Sequence, residues 1–191
     1  MSVLFCARLS ELWDLGHELF RSTPATFPAR FIEGNILDPA FLAPAPLLPT
    51  SPNPLPSPSP ALASVTKLSE LHGHISAIFL GAFFHLFNFE LQERVARLLA
   101  GLLSPLPGSM LIGVHGGLRE KGFWRPMQGV SMNCHSPESW REMWERIFGE
   151  AGVKVEVQAR LRKEIGGMSM FGTYPDNTEH YHVLEWSVTR L

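Results

Sequence analysis

The sequence has few cysteines, little net charge and no long apolar run, and each absence excludes a class of protein. Cys6 and Cys134 are the two cysteines among 191 residues, and their spacing matches neither a disulfide framework nor a zinc motif. The formal net charge is -2, which gives no reason to expect a nucleic-acid partner. No stretch reaches the roughly 18 consecutive apolar residues that a membrane span needs. We therefore expect a soluble, cytoplasmic protein with no membrane or nucleic-acid partner.

Proline, by contrast, is concentrated in one segment. Half of the prolines, 8 of 16, lie between Pro44 and Pro60. Proline removes backbone donors and favours extended chain, so this segment cannot enter a helix or a sheet interior. We interpret residues 43–61 as a flexible insertion within one partial domain that spans residues 1–191. The spacing of Pro46 and Pro49 leaves open a proline-rich ligand for a partner, although no basic residue flanks it.

The region from His74 to His115 has the pattern of a strand, a helix and a second strand. Short apolar runs at residues 75–80 and 109–115 flank a helix-period segment at residues 90–104. Five apolar residues of that segment share one helix face: Leu91, Val95, Leu98, Leu99 and Leu102. The pattern predicts a crossover between two buried parallel strands. Ligands bind beyond the carboxyl ends of such strands, which here are followed by residues 81–88 and 115–117.

The flanking sequence predicts the remaining elements. We expect a helix from Ser10 to Phe20, a strand at residues 30–34 and a short strand at residues 3–6 that has no earlier strand to pair with. Ser136 and Pro137 indicate a helix start, and alternation at residues 153–161 indicates a strand. A last strand carries Leu184, Trp186 and Val188 on one face. The predicted fold class is α/β, a Rossmann-like parallel sheet with helices on both faces and an antiparallel C-terminal strand at its edge.

That ending is typical of class I S-adenosylmethionine-dependent methyltransferases. Five segments resemble the fungal, mainly basidiomycete, methyltransferase-domain proteins related to secondary-metabolite methyltransferases: residues 13–20, 31–42, 75–87, 103–109 and 134–140. The resemblance covers nearly the whole chain and includes a proline-rich insertion at the same place. It implies S-adenosylmethionine as cofactor and a small molecule, with oxygen as its methyl acceptor, as substrate.

The resemblance also implies where the cofactor binds. The turn after the strand at residues 30–34 would approach the adenine through Asn35 and Ile36, with Asp38 close by. The edge after the strand at residues 75–80 would face the methionine moiety and the transferred methyl: Gly81, Ala82, Phe83, Phe84 and His85. One of the two phenylalanine rings would stack on the adenine or on the sulfonium cation. The alternative is that both rings belong to the core.

Histidine is the natural candidate for acid–base chemistry. His85 would act as a general base toward the acceptor, because an imidazole titrates near neutral pH. Methyl transfer is a direct displacement that positioning alone can promote, so His85 could instead cap or satisfy its loop. His115, at the end of the next predicted strand, is a second candidate.

The sequence departs from the family at its beginning. Such proteins open with a strand and a glycine-rich turn that holds the methionine end of the cofactor, but the first glycine here, Gly16, lies inside a predicted helix. Ala7 stands where an acid would bind the ribose. We therefore expect an N-terminally incomplete domain that binds S-adenosylmethionine weakly or not at all. The alternative function is that of a non-catalytic remnant or truncated fragment, serving as a binding module.

Two further patterns carry little chemistry. His72 with His74 and His180 with His182 each place two imidazoles on one face of an extended segment, but no acidic or cysteine cluster accompanies them. We expect surface residues and no metal site. Ser136 lacks the glycine-flanked turn of a serine hydrolase, so nucleophilic catalysis is not expected.

Overall fold

A computed structural model describes residues 4–7, 10–53, 55, 57–124, 131–163 and 182–191. In these ranges the chain forms eight β-strands and three α-helices. The strands form one sheet of four and two of two. None of the helices in the described ranges is long and apolar enough to cross a membrane.

The N-terminal part is a small βαβ unit. It consists of β1 (Leu4–Ala7), α1 (Ser10–Phe20) and β2 (Arg30–Glu33). The two strands pair in parallel, with Leu4 opposite Arg30. The first strand thus has its partner downstream in the chain, across the α1 crossover.

The helix α1 covers the predicted residues, but its apolar face is exposed. Leu12, Leu15 and Leu19 are 61%, 56% and 74% exposed. The other side of the helix contacts β2, where the ring of Trp13 stacks on Phe31 with the centroids 5.2 Å apart. The predicted helix is confirmed. Whether its leucines are buried depends on contacts with distant parts of the chain, which the local sequence does not encode.

The central crossover is confirmed. It comprises β3 (Ala77–Gly81), α2 (Phe89–Leu102) and β4 (Met110–Gly117), and the two strands pair in parallel. The helix begins at an N-cap, since Asn88 Oδ1 accepts a hydrogen bond of 2.9 Å from the N–H of Leu91. This unit brings the carboxyl ends of both strands to one edge of the sheet.

The C-terminal part adds four strands and one helix: β5 (Gly122–Trp124), β6 (Met132–Cys134), α3 (Pro137–Gly149), β7 (Val155–Lys163) and β8 (His182–Arg190). β5 and β6 form an antiparallel pair between β4 and α3. α3 begins at the predicted proline. The connection between β7 and β8, residues 164–181, lies outside the described residues.

The four-stranded sheet has the order β3-β4-β8-β7. The C-terminal strand β8 is antiparallel to both neighbours, which confirms the Rossmann-like sheet with a reversed last strand. The prediction that this strand forms the sheet edge is wrong, because β8 lies between β4 and β7. Neighbouring residues of β8 point to opposite faces of the sheet, and Val183 and Leu184 are both 0% exposed. Burial on both faces is typical of an interior strand.

One main core joins the sheet to the helices. Leu80, Leu111, Val157 and Trp186 represent its four strands, and the apolar stripes of α2 and α3 belong to the same cluster. Ile32 of β2 is part of it as well. The N-terminal unit and the four-stranded sheet therefore share a core although no strand pairing connects them in the described residues.

The proline-rich segment lies against this core. Its described residues between 43 and 61 contain no helix or strand, as the prolines predict. The N–H of Ser51 donates to the carbonyl of Pro105 at 3.0 Å, and Leu47 packs against the main cluster. That the segment is a flexible insertion stays a prediction.

Gly113 offers a test of the packing between β4 and β8. It lies opposite Trp186, and a Cβ at this position would lie 2.5 Å from Trp186 Cζ2 and would also clash with the carbonyl oxygen of Leu80. We expect Gly113→Ala to lower the free energy of unfolding by about 1–3 kcal/mol, as overpacking does. Urea denaturation measures the change.

Gly149, at the end of α3, provides the matched control, because a Cβ there meets nothing within 4 Å. Gly149→Ala should change the free energy of unfolding by less than about 0.5 kcal/mol. Equal stability of the two variants would show that β4 and β8 do not pack in the described register.

Candidate functional site

The carboxyl ends of β3 and β4 meet at one edge of the four-stranded sheet. We call residues 81–87 and 115–117 the carboxyl edge. Gly81 lies opposite Val114, and the N–H of Ala82 donates to the Val114 carbonyl at 2.7 Å. Ala82 has a φ of 51°, a left-handed conformation that costs a non-glycine residue roughly 1–2 kcal/mol. Such local strain is concentrated at binding and catalytic sites.

The two phenylalanines of this edge have different surroundings. Phe84 is fully buried, and its ring lies edge-on to Trp140 with the centroids 4.9 Å apart. Phe83 is half-buried and lies 5.1 Å from the ring of Phe87. Phe84 therefore belongs to the core, and Phe83 is the ring of the pair that a ligand can reach.

His85 follows the strained turn and is 5% exposed. Its Nδ1 accepts a long hydrogen bond of 3.4 Å from the N–H of Gly116. Burial lowers the pKa of His85 from 6.5 to about 4, so the ring is neutral at physiological pH. An accepting Nδ1 assigns the proton to Nε2. That His85 acts as a general base stays a prediction.

His115, the second candidate, lies in the core. Only 1% of its surface is exposed, and Nδ1 accepts a hydrogen bond of 3.0 Å from Trp186 Nε1. Burial, followed by the proximity of His85 and His135, holds the pKa of His115 well below its usual value. Its ring lies 6.4 Å from that of His85, centroid to centroid. His115 is therefore the buried residue of the carboxyl edge, and it exposes too little surface to contact a substrate.

His135 is the third buried histidine of this region, and the sequence did not single it out. Nδ1 lies 2.9 Å from Ser139 Oγ, and the ring lies 5.3 Å from that of Trp140. Burial, and secondarily the charge of Lys121, lowers the pKa of His135 to about 3. The sequence contains one indication of its place, because His135 immediately precedes the Ser136-Pro137 start of α3 and therefore lies at the N-terminus of that helix.

The predicted adenine-binding turn lies at the end of β2, in the other parallel sheet. Asn35 Oδ1 accepts a hydrogen bond of 3.1 Å from the N–H of Leu37, and Asp38 Oδ1 accepts one of 2.9 Å from the N–H of Ala40. Both side chains are exposed, and Ile36 is half-buried against the main core. The two predicted groups of cofactor residues thus follow parallel strands of two different sheets.

The histidines of the two sequence pairs have different surroundings. His72 donates from Nε2 to the Ala43 carbonyl at 3.0 Å. His182 is only 5% exposed, so the prediction of a surface residue is wrong for it, because β8 is an interior strand. His180 lies outside the described residues. Across the described ranges, no group of three His, Cys, Asp or Glu side chains is arranged to hold a metal ion.

A groove of about 720 Å³ lies between residues 44–47, α2 and the end of α3. Charged side chains line its rim, where Glu93 of α2 pairs with Arg146 of α3 at 2.7 Å. None of the site residues predicted from the sequence lines this groove. It is therefore a feature separate from the carboxyl edge.

Comparisons with known proteins identify relatives. The chain is 32% identical over 165 residues to the O-methyltransferase phiE of a fungal species, covering 82% of this chain and 47% of that protein. It is 30% identical over 159 residues to the O-methyltransferase atr3 of Stereocaulon alpinum, covering 82% and 38%. It is 27% identical over 148 residues to the methyltransferase adrK of Penicillium rubens, covering 77% and 44%. The chain thus spans about half the length, or less, of these curated relatives.

A solved structure confirms the fold. The crystal structure of the cyclase SpnF aligns with a TM-score of 0.58 and 10% sequence identity, over 99% of this chain and 66% of that one. At this identity the likeness concerns the fold alone. No protein-family model matches the chain.

Three of the buried histidines, His85, His115 and His135, predict an acid-labile fold. Their pKa values are lowered in the folded state, to about 4 for His85 and about 3 for His135. The unfolded chain takes up protons below pH 6.5 while the folded chain does not, so stability is lost as the pH falls from about 6.5 toward 4. Each histidine contributes at most about 1.4 kcal/mol per pH unit in that window.

Urea unfolding at several pH values between about 7.5 and 5 measures this slope. His135→Phe should reduce it by the share of one histidine. Phe123→Leu, at an exposed ring on β5, should leave it unchanged because it removes no titratable group. A stability that does not depend on pH in this window would contradict the described burial.

Proposed function

We propose that the chain belongs to the class I S-adenosylmethionine-dependent methyltransferase family and that it binds S-adenosylmethionine at the carboxyl edge. We further propose that it forms part of an enzyme that methylates an oxygen atom of a small molecule. The related fungal proteins are named O-methyltransferases or methyltransferases. We also propose that the protein is cytoplasmic and that it takes part in the secondary metabolism of a basidiomycete fungus.

The strained turn after β3 is the observation that carries the proposal. A parallel strand ends at exposed Gly81, Ala82 holds a left-handed conformation, and Phe83 follows with a partly exposed ring. A glycine leaves room for a ligand to approach the backbone, and the ring face attracts a cation such as a sulfonium. These residues fit the methionine end of the cofactor as the resemblance implies.

The other proposed contacts have smaller roles. Asn35, Ile36 and Asp38 would lie along the adenine, with the apolar side chain against the ring and the polar ones at its rim. Phe84 would shape the site from the core without touching the ligand. The chain has no glycine-rich turn, so these contacts supply only part of the surface that holds the cofactor, and we expect weak binding.

His85 acts by positioning in this account. When bound, the cofactor would supply an electrophilic methyl group for transfer to an oxygen of the acceptor. A neutral His85 beside the turn can help to hold the acceptor in position. A protonated or strongly basic imidazole is not required, because displacement depends chiefly on alignment.

A non-catalytic binding module is the second candidate function. It is favoured by exposed apolar side chains next to the sheet: the leucine face of α1 and Phe79 of β3, which is 69% exposed. In the part of the chain that the structure describes, β3 is the last strand of its sheet and leaves one backbone edge unpaired, and such edges readily pair with another chain. In this case the fold would be kept for assembly with another polypeptide.

Isothermal titration with S-adenosylmethionine and S-adenosylhomocysteine tests the proposal. We expect weak, saturable binding of both to the folded chain. The double variant Asn35→Ala, Phe83→Ala should bind at least about tenfold more weakly, since a cation–aromatic contact alone contributes roughly 0.5–2 kcal/mol.

Phe123→Ala is the matched control, because Phe123 is an exposed ring on β5 outside the carboxyl edge. It should leave the affinity unchanged. A folded chain that binds neither compound would mean that this chain, as it stands, is not a methyltransferase and would favour the binding module.

A further inference from the structure

Arg190, the last residue of β8, is a buried arginine. Its side chain is 1% exposed. Nη1 donates a hydrogen bond of 2.7 Å to the carbonyl of Leu48 in the proline-rich segment. The guanidinium carbon lies 5.7 Å from the ring centroid of Phe148. The head group is thus held on one side by a backbone carbonyl and on another by an aromatic ring of α3.

The other half of the guanidinium has no partner in the described residues. Nε and Nη2 are buried and make no hydrogen bond. Among the ion pairs of the described ranges, none involves Arg190. Nε–H and one N–H of Nη2 point in parallel, and this pair of donors is the fork that binds a carboxylate or a phosphate with two hydrogen bonds. The unpartnered atoms therefore form one complete bidentate site.

A buried cation with an empty fork is costly. Transfer of a charge from water is unfavourable unless the charge is paired and hydrogen-bonded. Burial accordingly lowers the pKa of Arg190, but a guanidinium keeps its proton under all ordinary conditions. The charge must be met by an acceptor.

A second buried polar atom lies in the segment that accepts the hydrogen bond from Nη1. Thr50 Oγ1 is buried without a hydrogen bond, and Thr50 is two residues beyond Leu48, whose carbonyl accepts from Arg190 Nη1. A hydroxyl group can donate to an oxyanion.

We propose that Arg190 and Thr50 form a binding site for a small oxyanion, a phosphate or carboxylate group, beneath residues 48–50. Because the fork has almost no exposed surface, the anion enters when these residues separate from the end of β8. Once bound, it ties the proline-rich segment to the sheet. The segment then acts as a strap over the anion.

This site is separate from the carboxyl edge. In the pairing of β4 with β8, Met110 lies opposite Thr189, and Gly117 lies opposite His182. Arg190 is therefore at the amino end of β4, about 25 Å from the carboxyl edge at roughly 3.3 Å per residue. Failure of the anion site would leave the proposed cofactor site untouched.

Titration of the full chain with sodium phosphate and with sodium acetate tests the proposal, with sodium chloride at equal ionic strength as the reference. Isothermal titration measures binding and thermal unfolding measures stabilisation. We expect saturable binding of phosphate, acetate or both, and the stronger of the two identifies the preferred group.

Three variants localise the site. Arg190→Lys keeps the charge but loses the fork, so its affinity should fall at least tenfold. Thr50→Val should weaken binding while preserving side-chain shape, and it decides the matter if Arg190→Lys does not fold. Arg119→Lys, at an exposed arginine, should bind as the parent chain does. Equal stabilisation by chloride, or unchanged affinity in Arg190→Lys and Thr50→Val, would overturn the proposal.

Discussion

The contact of Trp186 with β4 is the interaction on which the rest of the structure depends. Its indole ring lies over Gly113, where no side chain larger than hydrogen fits, and its Nε1–H donates to His115 Nδ1. Phe84 and Trp140 pack around the same ring. One residue of β8 thereby joins the sheet to α3 and to the turn after β3. The reversed strand holds its interior position because this indole needs the surface that Gly113 provides.

The aromatic packing around Trp186 determines the protonation state of the histidines at the carboxyl edge. Its histidines are buried among aromatic rings and are held neutral by desolvation, so the site offers hydrogen-bond donors and ring faces without acidic or strongly basic groups. Direct displacement from a sulfonium requires alignment more than proton transfer, and a neutral, rigid edge is suited to it. At the opposite end of β8, by contrast, the Nε and Nη2 atoms of the buried Arg190 have no hydrogen-bond acceptor in the described residues.

Much of this arrangement could be predicted from local sequence. The leucine period of α2 and the Ser136-Pro137 start of α3 identified both helices, because caps and apolar faces are encoded within a few residues. The interior position of β8 could not be predicted in this way, since strand order depends on contacts between Gly113 and Trp186, which are far apart in the chain. For the same reason, local sequence could not predict the burial of His182 or the unpartnered Nε and Nη2 atoms of Arg190. The proposal of Gly81 to His85 as cofactor residues rests on the resemblance, and only the structure separated the partly exposed Phe83 from the buried Phe84.

We propose that the turn after β3 faces the ligand. Hydrogen–deuterium exchange of the backbone amides, with and without saturating S-adenosylhomocysteine, tests this proposal. Exchange should slow at residues 81–87 and 35–38 when the compound is bound and should stay the same at residues 48–50. Protection confined to other segments, or no protection in a chain that demonstrably binds the compound, would mean that this turn does not face the ligand.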